Sequence, residues 1–204
     1  GYYRGETNHV INIERCLLIS EAMQKASLGL SKALKDLKPR MPLDATVRQS
    51  NSNGRIMAVI RGVDRKAALE VLARIDDLLD SLYLVDEKKV EVLKEGRGFE
   101  EILENMRFKL SPLSFFQVNS EQAGTLIDIV KNFLKLQGGE ILLDAYCGVG
   151  TLALSMADRA KHVVGVESFP SAVQDAAKNA RLNGLKNCRF LPGTTEQILP
   201  TLSQ

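Results

Sequence analysis

Asp144-Ala-Tyr-Cys-Gly-Val-Gly150 follows the apolar run Ile141-Leu142-Leu143 and precedes a stretch of helical character. Two glycines at a strand-to-helix turn let backbone amides approach a ligand closely at a helix N-terminus, where partial positive charge favours a carboxylate or phosphate. The chemistry implied is the holding of a small-molecule cofactor. A second carboxylate ends the next apolar run, His162-Val-Val-Gly-Val-Glu167. A buried parallel strand reads as a continuous apolar run, and an acid at its carboxyl end points into the crevice where open α/β sheets bind ligands. Glu167 is therefore assigned to ribose hydroxyls, against the alternative that it caps a helix starting near Pro170.

Two cofactor classes compete for the glycine turn. Read as Gly148-Val-Gly150-Thr-Leu-Ala153 it fits the looser dinucleotide fingerprint, with Glu167 about 20 residues on, as in an NAD(P)-binding Rossmann oxidoreductase. A dinucleotide site, however, usually runs from the strand straight into the first glycine. Here Asp144 ends the strand and three residues intervene. That longer loop is the pattern of S-adenosyl-L-methionine methyltransferases, where acid and amides together hold the amino-acid end of the cofactor.

Further segments extend this pattern in order and spacing: Phe115-Phe-Gln-Val-Asn119 upstream, and Asn179-Ala-Arg-Leu-Asn-Gly-Leu185 downstream. With the glycine loop and Val163-Val-Gly-Val-Glu167, they resemble the RNA uracil-5 methyltransferases of bacterial tRNA and 23S ribosomal RNA. The resemblance is strong from Leu110 to about Thr194 and weak from Gly1 to Cys16. It implies a partial Rossmann-like class I methyltransferase fold (α/β) preceded by a small α+β domain. It also implies S-adenosyl-L-methionine as cofactor and tRNA or 23S rRNA as substrate. The cofactor contacts it carries over are Gln117, Asp144, Tyr146, Gly148, Gly150, Thr151, Glu167 and Thr194. Thr151 and Thr194 are shorter than the amides often found at those positions.

The same resemblance sets the chemistry. Uracil C5 is a poor nucleophile, so a cysteine thiolate is expected to add to C6, the methyl to pass to C5, and a base to remove the C5 proton. The nucleophile and base are expected beyond Gln204, so that these 204 residues alone would not methylate RNA. Truncation would also leave the strand at Ile141–Leu143 without a neighbour, and self-association through that sheet edge is expected. Some relatives carry a four-iron four-sulfur cluster, whose fourth ligand Cys16 matches; the other three ligands would precede Gly1. A noncatalytic RNA- or protein-binding module is the remaining alternative.

Several of these residues also have purely structural readings. Gln117 reads equally as an ordinary polar residue beside two core phenylalanines, and Asn119 with Gln122 suits a capping box for a helix from Ser120 to Leu136. Tyr146 offers an apolar wall with a polar tip, or simply packs over the sheet. Cys147 lies within the cofactor loop and reads as a small buried cysteine rather than a nucleophile.

The elements that must position these groups divide near Ser111-Pro112, giving an α+β domain over 1–111 and a cofactor-binding half-domain over 112–204. Before the division the periodicity predicts extended chain at Tyr2–Ile13, a helix from Ile19 to Leu37 and a hairpin of Ala45–Gln49 with Ile56–Ile60 around Asn51-Ser-Asn-Gly54. A helix over Arg65–Leu79 follows, then strands at Tyr83–Val85, Lys89–Leu93, Ile102–Leu103 and Arg107–Leu110. After Pro112 come a helix and then β, α, β, α, β, with right-handed parallel crossovers ending at Cys188–Leu191.

Composition bounds the function classes. The chain is 45% hydrophobic and 25% charged, and no run approaches the roughly 20 apolar residues of a membrane span. Its three cysteines form no disulfide framework, and with no signal peptide at its start a cytoplasmic location is expected. A net charge of +2 offers little electrostatic support for RNA. The densest basic group, Lys32, Lys35, Lys38 and Arg40, sits toward a helix end, where cations are favoured anyway.

Overall fold

The computed structural model describes residues 2–11, 13–37, 43–86, 89–96 and 98–202. Lys38 and Arg40 of the basic group lie outside the described residues. The chain forms two compact units: residues 1–49 with 55–97, and residues 50–54 with 98–204.

In the first unit, strands β1 (Tyr2–Tyr3) and β2 (Val10–Ile11) pair antiparallel in the expected extended segment. Helix α1 (Glu21–Asp36) starts where the Ser20 hydroxyl accepts the Met23 amide at 3.0 Å. Strands β3 (Asp44–Gln49) and β4 (Ile56–Arg61) form the predicted hairpin, with Gly54 supplying a positive φ of 72°. Helix α2 (Arg65–Ile75), capped by Asp64, crosses over to β5 (Ser81–Asp86), which pairs parallel with β4 and antiparallel with β6 (Lys89–Lys94). The last turn predicted for α2 is instead a 3-10 turn over Asp76–Leu78. The apolar faces of the two helices cover one side of the sheet, burying Leu30, Leu34, Val71 and Ile75 with Ile56, Ile60, Leu82 and Leu84.

In the second unit, β7 (Glu100–Leu103) and β8 (Met106–Lys109) form an antiparallel hairpin. Helix α3 (Ser120–Leu134) is capped by Asn119, whose side chain accepts the Gln122 amide at 3.0 Å. Strands β9 (Ile141–Asp144), β10 (His162–Glu167) and β11 (Cys188–Pro192) form a parallel sheet in the order β11-β10-β9. Between them run the short α4 (Thr151–Ser155) and the longer α5 (Pro170–Leu182), the latter opened by proline at its first position; α6 (Thr195–Leu202) follows β11. Val163, Ala153, Ala157 and Ala160 form the buried centre, with Leu142 and Phe190 against it. Among the described residues β9 is an edge strand, and Ile141 and Leu143 are 68% and 41% exposed.

The boundary read from sequence at Ser111-Pro112 falls inside the second unit. Ser111 does begin a turn, its carbonyl accepting the Ser114 amide at 3.0 Å. Yet residues 98–111 belong with the methyltransferase-like half because their backbone is bonded to α5, some 64 to 76 positions later in the chain. A turn signal reports local backbone only, whereas long-range hydrogen bonds decide which body a segment joins.

Candidate functional site

The glycine loop sits at the carboxyl ends of β9 and β10. Gly148 and Gly150 have φ of +54° and +89°, values that favour residues without a Cβ. Their surroundings differ. A Cβ on Gly150 would meet Leu154 at 3.1 Å and Ala176 at 3.4 Å, so that glycine lets α4 pack on α5. A Cβ on Gly148 would meet nothing within 4 Å, which leaves one side of the loop open. The Cys147 amide bonds the Val166 carbonyl at 3.0 Å and the Gly150 amide bonds the Cys147 carbonyl at 2.8 Å, fixing the loop's path.

The helix behind the loop has five residues and passes into a 3-10 turn over Ala157–Arg159. So short a helix carries little of the macrodipole on which the sequence argument for anion attraction rested. Carboxylates dominate the local charge instead. Asp144 is largely buried, and desolvation raises its pKa above the ordinary carboxylate value of 3.8, the Glu167 charge adding to the rise. Glu167 accepts the Gly148 amide at 3.0 Å on one oxygen, and on the other the Phe169 amide at 2.9 Å and the Ser168 hydroxyl at 3.2 Å. The alternative reading of Glu167, at the helix entry, is met in part: one carboxylate oxygen accepts the amide of Phe169, the residue before α5, while the other ties β10 to the glycine loop.

A cleft of about 140 Å³ opens beside the loop, and Gln117, Asp144, Tyr146, Gly148 and Thr151 all line it. Gly150, Glu167 and Thr194 stand outside that lining, Glu167 at the end of β10 and Thr194 just after β11. Phe115 also borders the cleft and is 70% exposed, while Phe116 turns inward, 5.6 Å from the Phe108 ring at 50°. Gln117 therefore follows one exposed and one buried ring rather than two core phenylalanines.

Two residues near the loop escaped the sequence reading. The Thr195 hydroxyl is buried and donates to the Ala145 carbonyl, tying α6 to the loop. Glu196 has its pKa held below the usual carboxylate range by its own backbone amide first, then by the hydroxyls of Thr194 and Tyr146. Thr194 and the 75%-exposed Tyr146 are so brought together through a residue on α6. A signal for this helix is present in Thr194-Thr-Glu-Gln197, which has capping-box spacing, and the Gln197 side chain does reach the Thr194 amide at 3.5 Å.

Cys147 is not placed as a nucleophile. Cys147 is buried, and desolvation, followed by the charges of Asp144 and Glu167, pushes its thiol up to about 12, so the thiolate is scarce at neutral pH. Cys16 is half-buried before α1, its amide bonded by the Gln24 side chain at 2.9 Å. Among the described residues no three of His, Cys, Asp or Glu are grouped to hold a metal, so nothing in this fold adds to the cluster role implied for Cys16. Nor, among the described residues, is any helix long and apolar enough to cross a membrane.

Asp144 supplies a first prediction. Asp144→Asn is expected to raise Tm at neutral pH by a few degrees, since about 1 kcal/mol moves Tm by about 2–4 °C in a chain of this size. The sign follows from the raised pKa: protonation favours the folded state, so wild-type stability improves as pH falls through the folded pKa toward 3.8. The gap between variant and wild type should therefore close in thermal scans at mildly acidic pH. An Asn variant less stable than wild type at neutral pH would show that the carboxylate stabilises the loop rather than straining it.

Comparison with known proteins gives a consistent picture. Residues 136–204 match the family described as a methyltransferase domain. An uncharacterised RNA methyltransferase of Halalkalibacterium halodurans is 31% identical over 223 residues, spanning 98% of this chain and 49% of that protein. Another, of Gloeobacter violaceus, is 46% identical over 108 residues, spanning 52% of this chain and 24% of that protein. Among solved structures, the tRNA (uracil-54, C5)-methyltransferase of Pyrococcus abyssi in complex with S-adenosyl-L-homocysteine is similar, with a TM-score of 0.71. It is 22% identical, over 94% of this chain and 52% of that one, a likeness that shows the mixed α/β fold. The chain spans about half the length of the curated relatives it matches over most of its own length.

Proposed function

We propose that this chain, which carries a methyltransferase domain and is similar along nearly its whole length to RNA methyltransferases, binds S-adenosyl-L-methionine beside the glycine loop for methylation of uracil C5 in RNA. One observation carries the reading: the cleft joins a desolvated carboxylate, Asp144, to a glycine whose outer side is open, Gly148. A cationic ammonium suits the acid, and a backbone stripped of Cβ suits a ligand that lies close against it. Gln117, Tyr146 and Thr151 would complete the walls around the amino-acid end, with Glu167 and Thr194 toward the ribose and adenine. When bound, the cofactor supplies an electrophilic methyl group on its sulfonium.

The chain's own residues hold and orient; they do not attack. Cys147 faces the Gly165 backbone within the sheet and keeps its proton, so it is not the thiol that adds to uracil C6. Whether the RNA is tRNA or 23S rRNA is a choice made by surfaces that read RNA shape and receive a flipped base. The exposed edge of β9 is the surface offered for self-association, and a monomer in light scattering would remove that part of the reading.

Calorimetry with S-adenosyl-L-homocysteine and, separately, with NAD tests the cofactor. Binding of the first and not the second is expected; binding of NAD alone would replace the methyltransferase reading with the oxidoreductase one. The base is tested by nucleoside mass spectrometry of tRNA and rRNA from cells lacking the gene. Loss of one 5-methyluridine, restored on complementation, is expected, whereas loss of any other methylated nucleoside would leave the cofactor assignment standing and overturn the uracil one.

A further inference from the structure

Asp175 and Asn179 of helix α5 and its C-cap Asn183 follow one another at four-residue intervals. Asp175 and Asn179 are almost completely buried, at 3% and 0% exposure. Opposite them runs the outer edge of β8 and its continuation. The amides of Arg107, Lys109 and Ser111 donate to Asn183 at 2.9 Å, Asn179 at 2.8 Å and Asp175 at 2.7 Å. The Leu110 amide, between them, turns the other way to the Phe99 carbonyl at 3.1 Å. Helix and strand match in spacing: four helical residues rise about 6 Å, and two strand residues about 6.6 Å. Three rungs therefore fit before the mismatch accumulates. A helix face here does for the strand edge what a neighbouring strand would otherwise do.

The ladder reaches two walls of the cleft. At one end Asp175 also accepts the hydroxyls of Ser111 and Ser114, each at 2.7 Å, and Ser114 directly precedes Phe115, Phe116 and Gln117. In the middle, the Asn179 amide donates to the Val149 carbonyl at 3.2 Å, between the two loop glycines. One helix face thus holds both the glycine loop and the segment facing it. Apolar side chains would cover the same edge without reading its register, whereas buried carboxylate and amide groups are satisfied in one register only.

We propose that Asp175, with Asn179 behind it, is a positioning residue for the cofactor: it sets where Phe115 and Gln117 stand relative to Gly148-Val149-Gly150. The inference rests on the reading that the cleft binds S-adenosyl-L-methionine. Asp175→Ala removes the acceptor for three donors; Asp175→Asn keeps an acceptor for Ser111 and Ser114 and adds a donor that the Ser111 hydroxyl can accept.

Affinity for S-adenosyl-L-homocysteine and Tm would be measured on Asp175→Ala, Asp175→Asn and a control, Val71→Ala, which opens a cavity in the other unit's core. Asp175→Ala should raise Kd by about tenfold or more, and Asp175→Asn should return it to within about threefold of wild type. Val71→Ala should lower Tm and leave Kd unchanged. A wild-type Kd in Asp175→Ala, or equal weakening in Val71→Ala, would reduce Asp175 to an ordinary stabilising residue. Hydrogen exchange without ligand separates the two levels of the argument. Asp175→Ala should speed exchange over 111–117 and 148–150 together, and wild-type protection at 148–150 would overturn the coupling. Wild-type protein that binds no S-adenosyl-L-homocysteine, yet shows the coupled exchange, would instead sink the cofactor reading and with it the role given to Asp175.

Discussion

Replacing Glu167 with alanine is expected to weaken S-adenosyl-L-homocysteine by roughly 10- to 150-fold, the loss of one charge-assisted hydrogen bond of about 1.5–3 kcal/mol. On the proposed cofactor reading the effect should be large. The carboxylate is already fixed by the amides of Gly148 and Phe169 and the Ser168 hydroxyl, so no ordering remains to be done when a ribose arrives. Its removal also frees the Gly148 amide and loosens the loop that Asp144 and Tyr146 share. Glu167→Gln separates the parts, because the amide keeps one acceptor for the backbone but loses the charge. Calorimetry should place Gln between wild type and Ala. Unchanged affinity in Glu167→Ala would leave this residue as a structural tie between the glycine loop and the entry to α5.

Gly165→Ala should cause a large loss of stability through a single methyl group. Gly165 lies in the middle of β10, paired with Asp144 on one side and Phe190 on the other. A Cβ there would stand 2.5 and 2.7 Å from two atoms of the Phe190 ring and 2.8 Å from the Cys147 sulfur. Neither neighbour is the free end of a flexible chain. Overpacking of this kind costs about 1–3 kcal/mol, or several degrees of Tm in a chain of this size. Phe190→Leu in the same protein should recover part of the loss, a coupling that a double-mutant cycle in denaturant would read. Because the displaced sulfur belongs to the glycine loop, cofactor affinity should fall alongside Tm. A Gly165→Ala protein that melts with wild type would show that the sheet and loop yield more easily than their contacts imply.

Some of this protein is written locally in its residues. The apolar runs at Ile141–Leu143 and His162–Val166 become the parallel strands they resemble, Pro170 opens α5, and Asn119 caps α3, because each depends on hydropathy period or on backbone preference within a few positions. The hairpin around Gly54 follows for the same reason, since a positive φ is a local demand. The carboxylates Asp144 and Glu167 were legible as the ends of two strands, and they do end β9 and β10, where a parallel sheet leaves its carboxyl ends open.

Other features follow only from which surfaces meet. Nothing in Leu152-Ala-Leu-Ser-Met-Ala157 marks a break, yet α4 stops at Ser155, and only three-dimensional packing shows how little dipole stands behind the loop. Asn179 and Asn183 read as a family signature without a role; their amides find one because the unpaired edge of β8 lies opposite them, about 70 residues away in sequence. Gly165 passes in the sequence as one more small residue in an apolar strand, and its necessity comes from Phe190 and Cys147 closing on the same point. Period and backbone preference act over a turn of chain and can be read from it. Pairing between side chains and distant backbone depends on the register of one element against another, and only the folded chain sets that register.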